Sequence, residues 1–261
     1  MTKTKHTIVV ALMLAALTAG TVQAGTRQVV PPPAPETQTD LSGSLETQAV
    51  SNYTYHGQKL DGNPVFVPKL NIQKPLFEGG TLQFTAQQVV GTQGSTWFRS
   101  QYNLGLALQQ GRFTVTPGFQ VTAWPERDSK NSQSVNLRVA LDDEGLTSVL
   151  PTALNPYAYV SSKVDPKSGN YYEVGVAPGK SYGKLDLTVP VAVGVGSQGY
   201  YSGATEDETH YAFTSVGVAA TYKVTDRLSF KAGSTYFNTD SRLGNGKNSF
   251  VSSNIGVAVS F

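Results

Sequence analysis

The chain has 261 residues, with 20 basic and 18 acidic side chains, 26 glycines, 13 tyrosines and no cysteine. A net charge of +2 argues against a general nucleic-acid-binding protein, and the lack of cysteine excludes disulfides and a lipoprotein anchor. Many glycines and tyrosines with few charges are typical of a protein built from strands and tight turns.

The first predicted element is a secretory signal peptide over residues 1–24. Lys3 and Lys5 precede the apolar run TIVVALMLAALTAG, and the small-residue site VQA ends at Ala24. A basic start, an apolar middle and a small-residue site are typical of a cleaved signal peptide, whereas a membrane anchor needs about 20 apolar residues. We therefore expect export and cleavage near Ala24, and an exported protein without cysteine suits a bacterial envelope.

Residues 25–43 contain PPPAP and predict a proline-rich flexible leader. From residue 44 onward, apolar and polar residues alternate, which indicates strands. The predicted strands span residues 44–56, 64–74, 81–90, 96–109, 112–124, 132–142, 155–164, 170–177, 184–196, 209–222, 227–238 and 249–261. These segments predict an all-β fold, a single transmembrane antiparallel up-and-down β-barrel of about twelve strands over residues 44–261.

The connections alternate between short and long, as in barrels with short periplasmic turns and long outer loops. The connection over residues 144–154 is the exception, because it is long where a short turn is expected. Pro117 and Pro190 fall inside predicted strands, where each removes a backbone hydrogen-bond donor. We expect local bulges at both prolines.

Each predicted strand has one apolar face, as the segment KLDLTVPVAVGV (184–195) illustrates. Alternation alone fits the core of a soluble sandwich as well as a barrel in lipid. Aromatic residues near the strand ends favour the barrel, because such rings rest at the two membrane interfaces. One predicted rim comprises Tyr53, Tyr55, Phe66, Phe98 and Tyr236, and the other Phe84, Phe113, Tyr222, Phe230 and Phe261.

The opposite, inward face carries most of the charges. Those predicted to lie near the periplasmic mouth are Glu46, Arg112, Asp142, Lys184 and Asp186, and those predicted to lie just above them are Arg138 and Lys231. Those predicted to crowd the outer mouth are Trp97, Arg99, Trp124 and Tyr171. These residues fit either a charged constriction in a narrow channel for small polar solutes, or ion pairs that fill a plugged structural or adhesive barrel. In the second interpretation the outer loops contact a partner and the leader enters the lumen.

Catalytic chemistry is weakly represented. His56 and His210 are the histidines outside the predicted signal peptide, and no serine motif of the GxSxG type is present. The acidic segment ATEDETH (204–210) lacks the glycine-punctuated pattern of a calcium loop, so we expect a solvated loop and no metal site. We expect no enzymatic activity and no cofactor; a membrane hydrolase would have to depend on His56.

Two segments resemble known proteins. The C-terminal SNIGVAVSF resembles the last strand of outer-membrane barrels, which their assembly machinery recognises; the matching residues are Ile255, Val257, Val259 and Phe261. The segments SNYTYHGQKLDGNPVFVPKLNI and LNPYAYVSSKVD resemble an uncharacterised family of conserved bacterial outer-membrane β-barrel proteins. The resemblance implies an outer-membrane location, with the lipid bilayer and the assembly machinery as partners, and implies no activity.

Overall fold

The computed structural model describes residues 41–92, 97–125, 131–145, 152–165, 169–202, 209–241, 243 and 248–261. The predicted signal peptide and most of the predicted leader lie outside these residues, and both stay predictions. The first strand begins at Ser42, two residues before its predicted start at residue 44.

The described residues form sixteen strands and one short helix. In chain order these are β1 (Ser42–Val50), β2 (Tyr53–Tyr55), β3 (Gln58–Asp61), β4 (Val65–Phe77), β5 (Gly80–Gly91), β6 (Trp97–Gln110), β7 (Phe113–Ala123), β8 (Ser132–Leu141), β9 (Tyr157–Asp165), β10 (Gly169–Val176), β11 (Gly179–Tyr182), β12 (Leu185–Thr188), β13 (Val191–Ser197), α1 (Gln198–Ser202), β14 (Thr209–Lys223), β15 (Leu228–Thr239) and β16 (Ser249–Ser260). In the described part of the chain, no helix has the length and apolar character needed to cross a membrane.

All strands except β2 and β3 belong to one antiparallel sheet that closes on itself. β1 pairs with β4 on one side and with β16 on the other, and Gly43 N donates to the Phe261 carbonyl over 2.9 Å. β10 with β11 follows one path along the wall, as does β12 with β13, so the wall has twelve antiparallel strands. The predicted barrel is confirmed.

The two prolines interrupt the ladder without shifting it. β12 and β13 flank Pro190 and pair with β14 in one continuous register, from Leu185 opposite Tyr222 to Gly194 opposite Phe213. The pairing of β6 with β7 likewise keeps one register on both sides of Pro117. The expected bulges at these prolines are therefore wrong, because the gap at each is a missing bond and adds no residue. The bulge in this region lies between Gly194 and Val195.

The end of the barrel that holds Ser42 and Ser260 is called the terminal end, and the opposite end the distal end. Turns at the terminal end are short, for example Gly183–Lys184 between β11 and β12. The predicted connection between the strands 170–177 and 184–196 is mostly strand, because Gly179 to Tyr182 pair with β12. The long connection after β8 lies at the terminal end, where the Asp143 carboxylate accepts the backbone N–H groups of Leu154 and Asn155 over 3.0 and 2.8 Å.

The outer face of the wall is apolar and exposed. Leu104 is 49% exposed and Ile255 is 66% exposed, although both are large aliphatic residues in the middle of wall strands. Further exposed residues on this face are Phe66, Phe113, Val135, Val193, Val218, Tyr222, Phe230 and Tyr236. Exposing an apolar surface of this extent to water is unfavourable, so the wall is suited to a lipid environment.

Candidate functional site

A hairpin inside the barrel is the feature that the sequence did not predict. The predicted strand 44–56 is right as far as Val50 but wrong beyond it, because β1 ends there and β2 and β3 form a separate two-stranded sheet. Between β2 and β3, His56 has φ of 48° and Gly57 has φ of 76°. Two successive positive φ values are typical of the tight turn that matches the twist of a hairpin. Residues 53–61 are called the inner hairpin.

One side of the inner hairpin is bonded to the wall at β5, β6 and β7. The Tyr53 hydroxyl accepts hydrogen bonds from Arg99 over 2.7 Å and from Gln87 over 3.2 Å. The Arg99 side chain is fully buried, with its guanidinium carbon 3.7 Å from the centre of the Tyr55 ring. Gln120 of β7 donates to the Tyr55 hydroxyl over 2.9 Å. A buried guanidinium needs such contacts, because desolvation of a charge is costly.

The other side of the inner hairpin contacts β10, β14 and β15. The His56 ring lies 4.0 Å from the Tyr171 ring, centre to centre. A Cβ at Gly57 would lie 2.2 Å from the Phe213 ring, so only glycine fits against that side chain. Thr239 donates through its hydroxyl to the Gly57 carbonyl over 3.3 Å. Because these strands lie across the barrel from β6, the inner hairpin crosses the lumen.

Helix α1 packs against the inner hairpin from the distal end. The Tyr201 hydroxyl donates to the His56 carbonyl over 2.9 Å. Tyr200 is buried, its hydroxyl donates to Ser161 over 3.3 Å, and its carbonyl accepts a hydrogen bond from Lys163. Helix and hairpin together place a cluster of aromatic side chains in the distal half of the lumen.

A cavity of about 270 Å³ lies between the inner hairpin and the wall. Glu173 is central to its wall, because its carboxylate accepts hydrogen bonds from Tyr157 over 2.7 Å and from Tyr171. The Arg138 guanidinium carbon lies 3.9 Å from the centre of the Tyr157 ring. The wall of the cavity also includes Pro190, Ala192, Phe213, Ser215, Thr235 and Phe237.

His56 occupies an environment that opposes protonation. Enclosure by aromatic rings and the nearby positive charges of Arg99 and Lys163 lower the pKa of His56 from 6.5 to about 3. The imidazole is therefore neutral at neutral pH.

The seven charged residues predicted for a constriction do not form one ring. Glu46 and Lys231 meet, with 2.6 Å between Lys231 Nζ and Glu46 Oε2. Arg112 and Lys184 lie in terminal-end turns, where they donate to the Glu144 and Val224 carbonyls over 2.6 and 3.2 Å.

The other three charged residues have different partners. Asp186 pairs with Lys223 over 2.8 Å, and Asp142 accepts the Glu144 N–H over 3.0 Å. Arg138 stacks on Tyr157, as described above. Charged groups of both signs therefore lie at several levels of the terminal half, and a role in selectivity stays a prediction.

The residues predicted for the outer mouth lie near the distal end. Arg99 and Trp124 meet there, with 5.3 Å between the guanidinium carbon and the ring centre, whereas Tyr171 lies across the lumen against His56. Trp97 is the first residue of β6. The placement of Tyr53 and Tyr55 on the lipid-facing rim is wrong, because both belong to the inner hairpin and Tyr53 is only 6% exposed.

The predicted assembly residues lie on the outward face of β16. Ile255, Val259 and Phe261 are exposed, and Val257 lies on the same face. The acidic segment at 204–210 falls mostly outside the described residues. Within the described residues, no three acidic or histidine side chains cluster in a way that could hold a metal ion.

No family model and no curated protein matches the chain. Among solved structures, the chain is similar to the NanC porin in a rhombohedral crystal form, with 12% identity and a TM-score of 0.51 over 82% of this chain and 98% of that one. It is also similar to the KdgM porin in complex with disordered oligogalacturonate, with 13% identity and a TM-score of 0.49 over 84% and 99%. LpxR from Salmonella typhimurium gives 13% identity and 0.49 over the same shares. At such identity the NanC porin supports the fold alone, which is that of the outer-membrane β-barrels.

Proposed function

We propose that the chain is an outer-membrane channel for small polar solutes, and that the inner hairpin narrows its lumen. The apolar outer face supports a membrane location, since it needs lipid as its solvent. The polar inner face of the terminal half supports the passage of polar solutes, because Arg138 is exposed there and Lys231 is one-third exposed.

The observation that carries this proposal is the inner hairpin itself. It reaches from Arg99 of β6 to Phe213 of β14 and leaves the cavity beside Glu173 on its terminal side. A twelve-stranded wall is wider than the small barrels that side chains fill, so an inserted hairpin is a means of narrowing it. The inserted hairpin therefore makes the proposed channel narrow.

The second candidate is a plugged structural or adhesive barrel that acts through its distal loops. The dense contacts of the inner hairpin favour it, because Tyr53, Tyr200 and Phe213 are all nearly inaccessible. We propose no catalytic role for His56, whose ring contacts those of Tyr55 and Tyr171. Loss of a lipid hydrolase activity in His56→Ala would contradict this.

Conductance in planar bilayers separates the two candidates. Val50 and Val65 are direct partners in neighbouring strands, so residues 53–62 can be replaced by Gly-Ser-Gly without stretching the wall. We expect small current steps from the native chain and larger steps from this variant. A silent native chain with a conducting variant supports the plugged barrel, and silence of both overturns the channel. Deleting residues 27–39 in parallel tests whether the leader contributes to a plug.

A further inference from the structure

Two residues that line the cavity beside the inner hairpin each have a buried polar atom that lacks a hydrogen bond. Thr54 and His56 both line this cavity. Among the described residues, neither the Thr54 Oγ1 nor the His56 Nε2 has a hydrogen-bond partner, although both atoms are buried. Buried polar groups in folded proteins are almost always bonded, so a molecule bound at this end of the cavity would gain hydrogen bonds from these two side chains.

The wall across the cavity supplies further hydrogen-bonding groups. The Glu173 carboxylate accepts from the Tyr157 and Tyr171 hydroxyls, and a carboxylate has about four lone-pair positions, so it can accept from about two more donors. Ser215 and Thr235 add hydroxyl groups to the same wall. A ligand that both donates and accepts at several points fits this set.

Apolar surfaces lie between these polar groups. Tyr157, Phe213 and Phe237 present aromatic rings to the cavity, and Pro190 adds an aliphatic ring. Gly194 makes room for this arrangement, because a Cβ there would lie 2.4 Å from the Phe213 ring. A saturated ring with hydroxyl groups around its edge has the matching surface, with C–H groups on its faces and donors and acceptors at its rim.

The charges around the cavity favour a neutral ligand. Glu173 is an anion on one side, while Arg138 stacks on Tyr157 of the same wall. On the hairpin side, Arg99 and Lys163 act on the His56 ring as positive charges. A charged ligand would meet a like charge on one side or the other, which is unfavourable at short range.

We propose that this cavity binds a neutral, polyhydroxylated ring of monosaccharide size. Its volume of about 270 Å³ has room for one sugar ring. The proposal rests on the proposed function, of which it names the solute class. Binding can nevertheless be measured whether or not the barrel conducts.

Titration calorimetry on the full-length, detergent-purified barrel tests the site with glucose, galactose and N-acetylglucosamine, and with glucuronate and glucosamine as charged analogues. We expect saturable binding of at least one neutral sugar. Thr54→Val and Ser215→Ala each remove one hydroxyl at nearly constant shape, and each should weaken binding about tenfold. Thr116→Val is the matched control, because Thr116 shares the inner face with Arg138 but does not line the cavity.

Three results would overturn the proposal: no saturable binding of any neutral sugar, equal affinity in Thr54→Val and the native barrel, or preference for a charged analogue over its neutral parent. An unchanged gel shift on heating shows that each variant keeps its barrel. Sugar binding without conductance would remove the proposed function and leave the site standing. Conductance without sugar binding would leave the proposed function standing and remove the sugar site.

Discussion

The Tyr53 hydroxyl lies 2.7 Å from the guanidinium of Arg99, and this hydrogen bond joins the inner hairpin to β6 of the wall. Arg99 is fully buried, so its charge is not solvated by bulk water. A buried guanidinium is stable only where polar or aromatic groups replace its hydration. The hairpin supplies two of those groups, Tyr53 and Tyr55, so the position of the hairpin and the burial of Arg99 depend on each other.

The variant Tyr53→Phe should loosen the inner hairpin. It keeps the ring but removes the acceptor of a charge-assisted hydrogen bond, which contributes about 1.5–3 kcal/mol. We expect the large current steps that mark a displaced hairpin to occur at least about ten times more often than in the native barrel, as counted in single-channel recordings. Tyr236→Phe is the control, because Tyr236 lies on the outward face of β15. An open probability equal to that of the native barrel would show that Tyr53 does not hold the hairpin.

Acid should release the inner hairpin through His56. We call the inner hairpin seated when it makes the contacts described above and released when it has left them. The low pKa of His56, about 3, means that the seated hairpin binds fewer protons than the released hairpin between pH 3 and 6.5. The seated state is therefore fully stable above pH 6.5 and loses about 1.4 kcal/mol for each pH unit below it. The positive charges that act on the ring are those of Arg99 of β6 and Lys163 of β9.

Conductance measured from pH 7 to pH 4.5 checks this expectation. The conductance of the native barrel should rise progressively below pH 6.5, whereas His56→Asn should show a flatter profile. Asparagine suits this control because it tolerates the positive φ of 48° at this position and does not titrate. A pH profile that is the same in both proteins would place the sensor elsewhere.

The wall was predictable because apolar and polar residues alternate along its strands. Residues such as Leu104 and Leu106 alternate with Asn103 and Gly105 over a whole strand, and a closed sheet is the structure that satisfies every backbone group in lipid. The paired ends of β1 and β16 follow from the same requirement. The pattern therefore specifies the strands, their faces and their order.

The inner hairpin was not predictable from alternation. Tyr53 and Tyr55 continue the period-two pattern of β1, and a hairpin inside the lumen has the same period as a strand in the wall. The local signals were the His56–Gly57 pair, which suits a two-residue turn, and the Asp61–Gly62 turn before Pro64. The cavity beside Glu173 depends on contacts between distant strands, which no local pattern reveals.

The ion pair between Glu46 and Lys231 should stabilise the seam of the barrel. Glu46 lies on β1 and Lys231 on β15, so the pair reaches across β16, which closes the wall. Glu46 is nearly buried, and we expect Glu46→Gln to lower the free energy of unfolding by about 1–3 kcal/mol. The double variant with Lys231→Met should lose less than the sum of the two single variants.

Urea unfolding in lipid vesicles measures these free energies. The pair Asp186–Lys223 is the control, because Lys223 is 57% exposed and such pairs contribute about 0–1 kcal/mol. Additive losses in the Glu46 cycle would mean that the two side chains act independently.

A charge on the outer face should cost more than the same charge inside. Leu104 and Asn103 are neighbours in the middle of β6, and they point to opposite faces of the wall. Leu104→Lys should destabilise the barrel in vesicles by about 2–4 kcal/mol, the cost of lysine at the bilayer midplane. Asn103→Lys should cost about 1 kcal/mol, for its lost hydrogen bond with Asn136. Equal costs would contradict the assignment of the apolar face to lipid.

Phe261 offers a test of the proposed assembly signal. Its backbone N–H donates to the Gly43 carbonyl over 3.0 Å and its carbonyl accepts from Gly43 N over 2.9 Å, so closure of the seam does not require the side chain. The ring is 57% exposed at the terminal end. We expect Phe261→Ala to refold in detergent at a rate close to that of the native chain, but to reach the outer membrane of a Gram-negative host in much smaller amounts. Cell fractionation with a heat-shift gel measures the assembled amount, and Ser260→Ala is the neighbouring control. If refolding in detergent slows in proportion to the loss in cells, Phe261 stabilises the seam and is not a recognition signal.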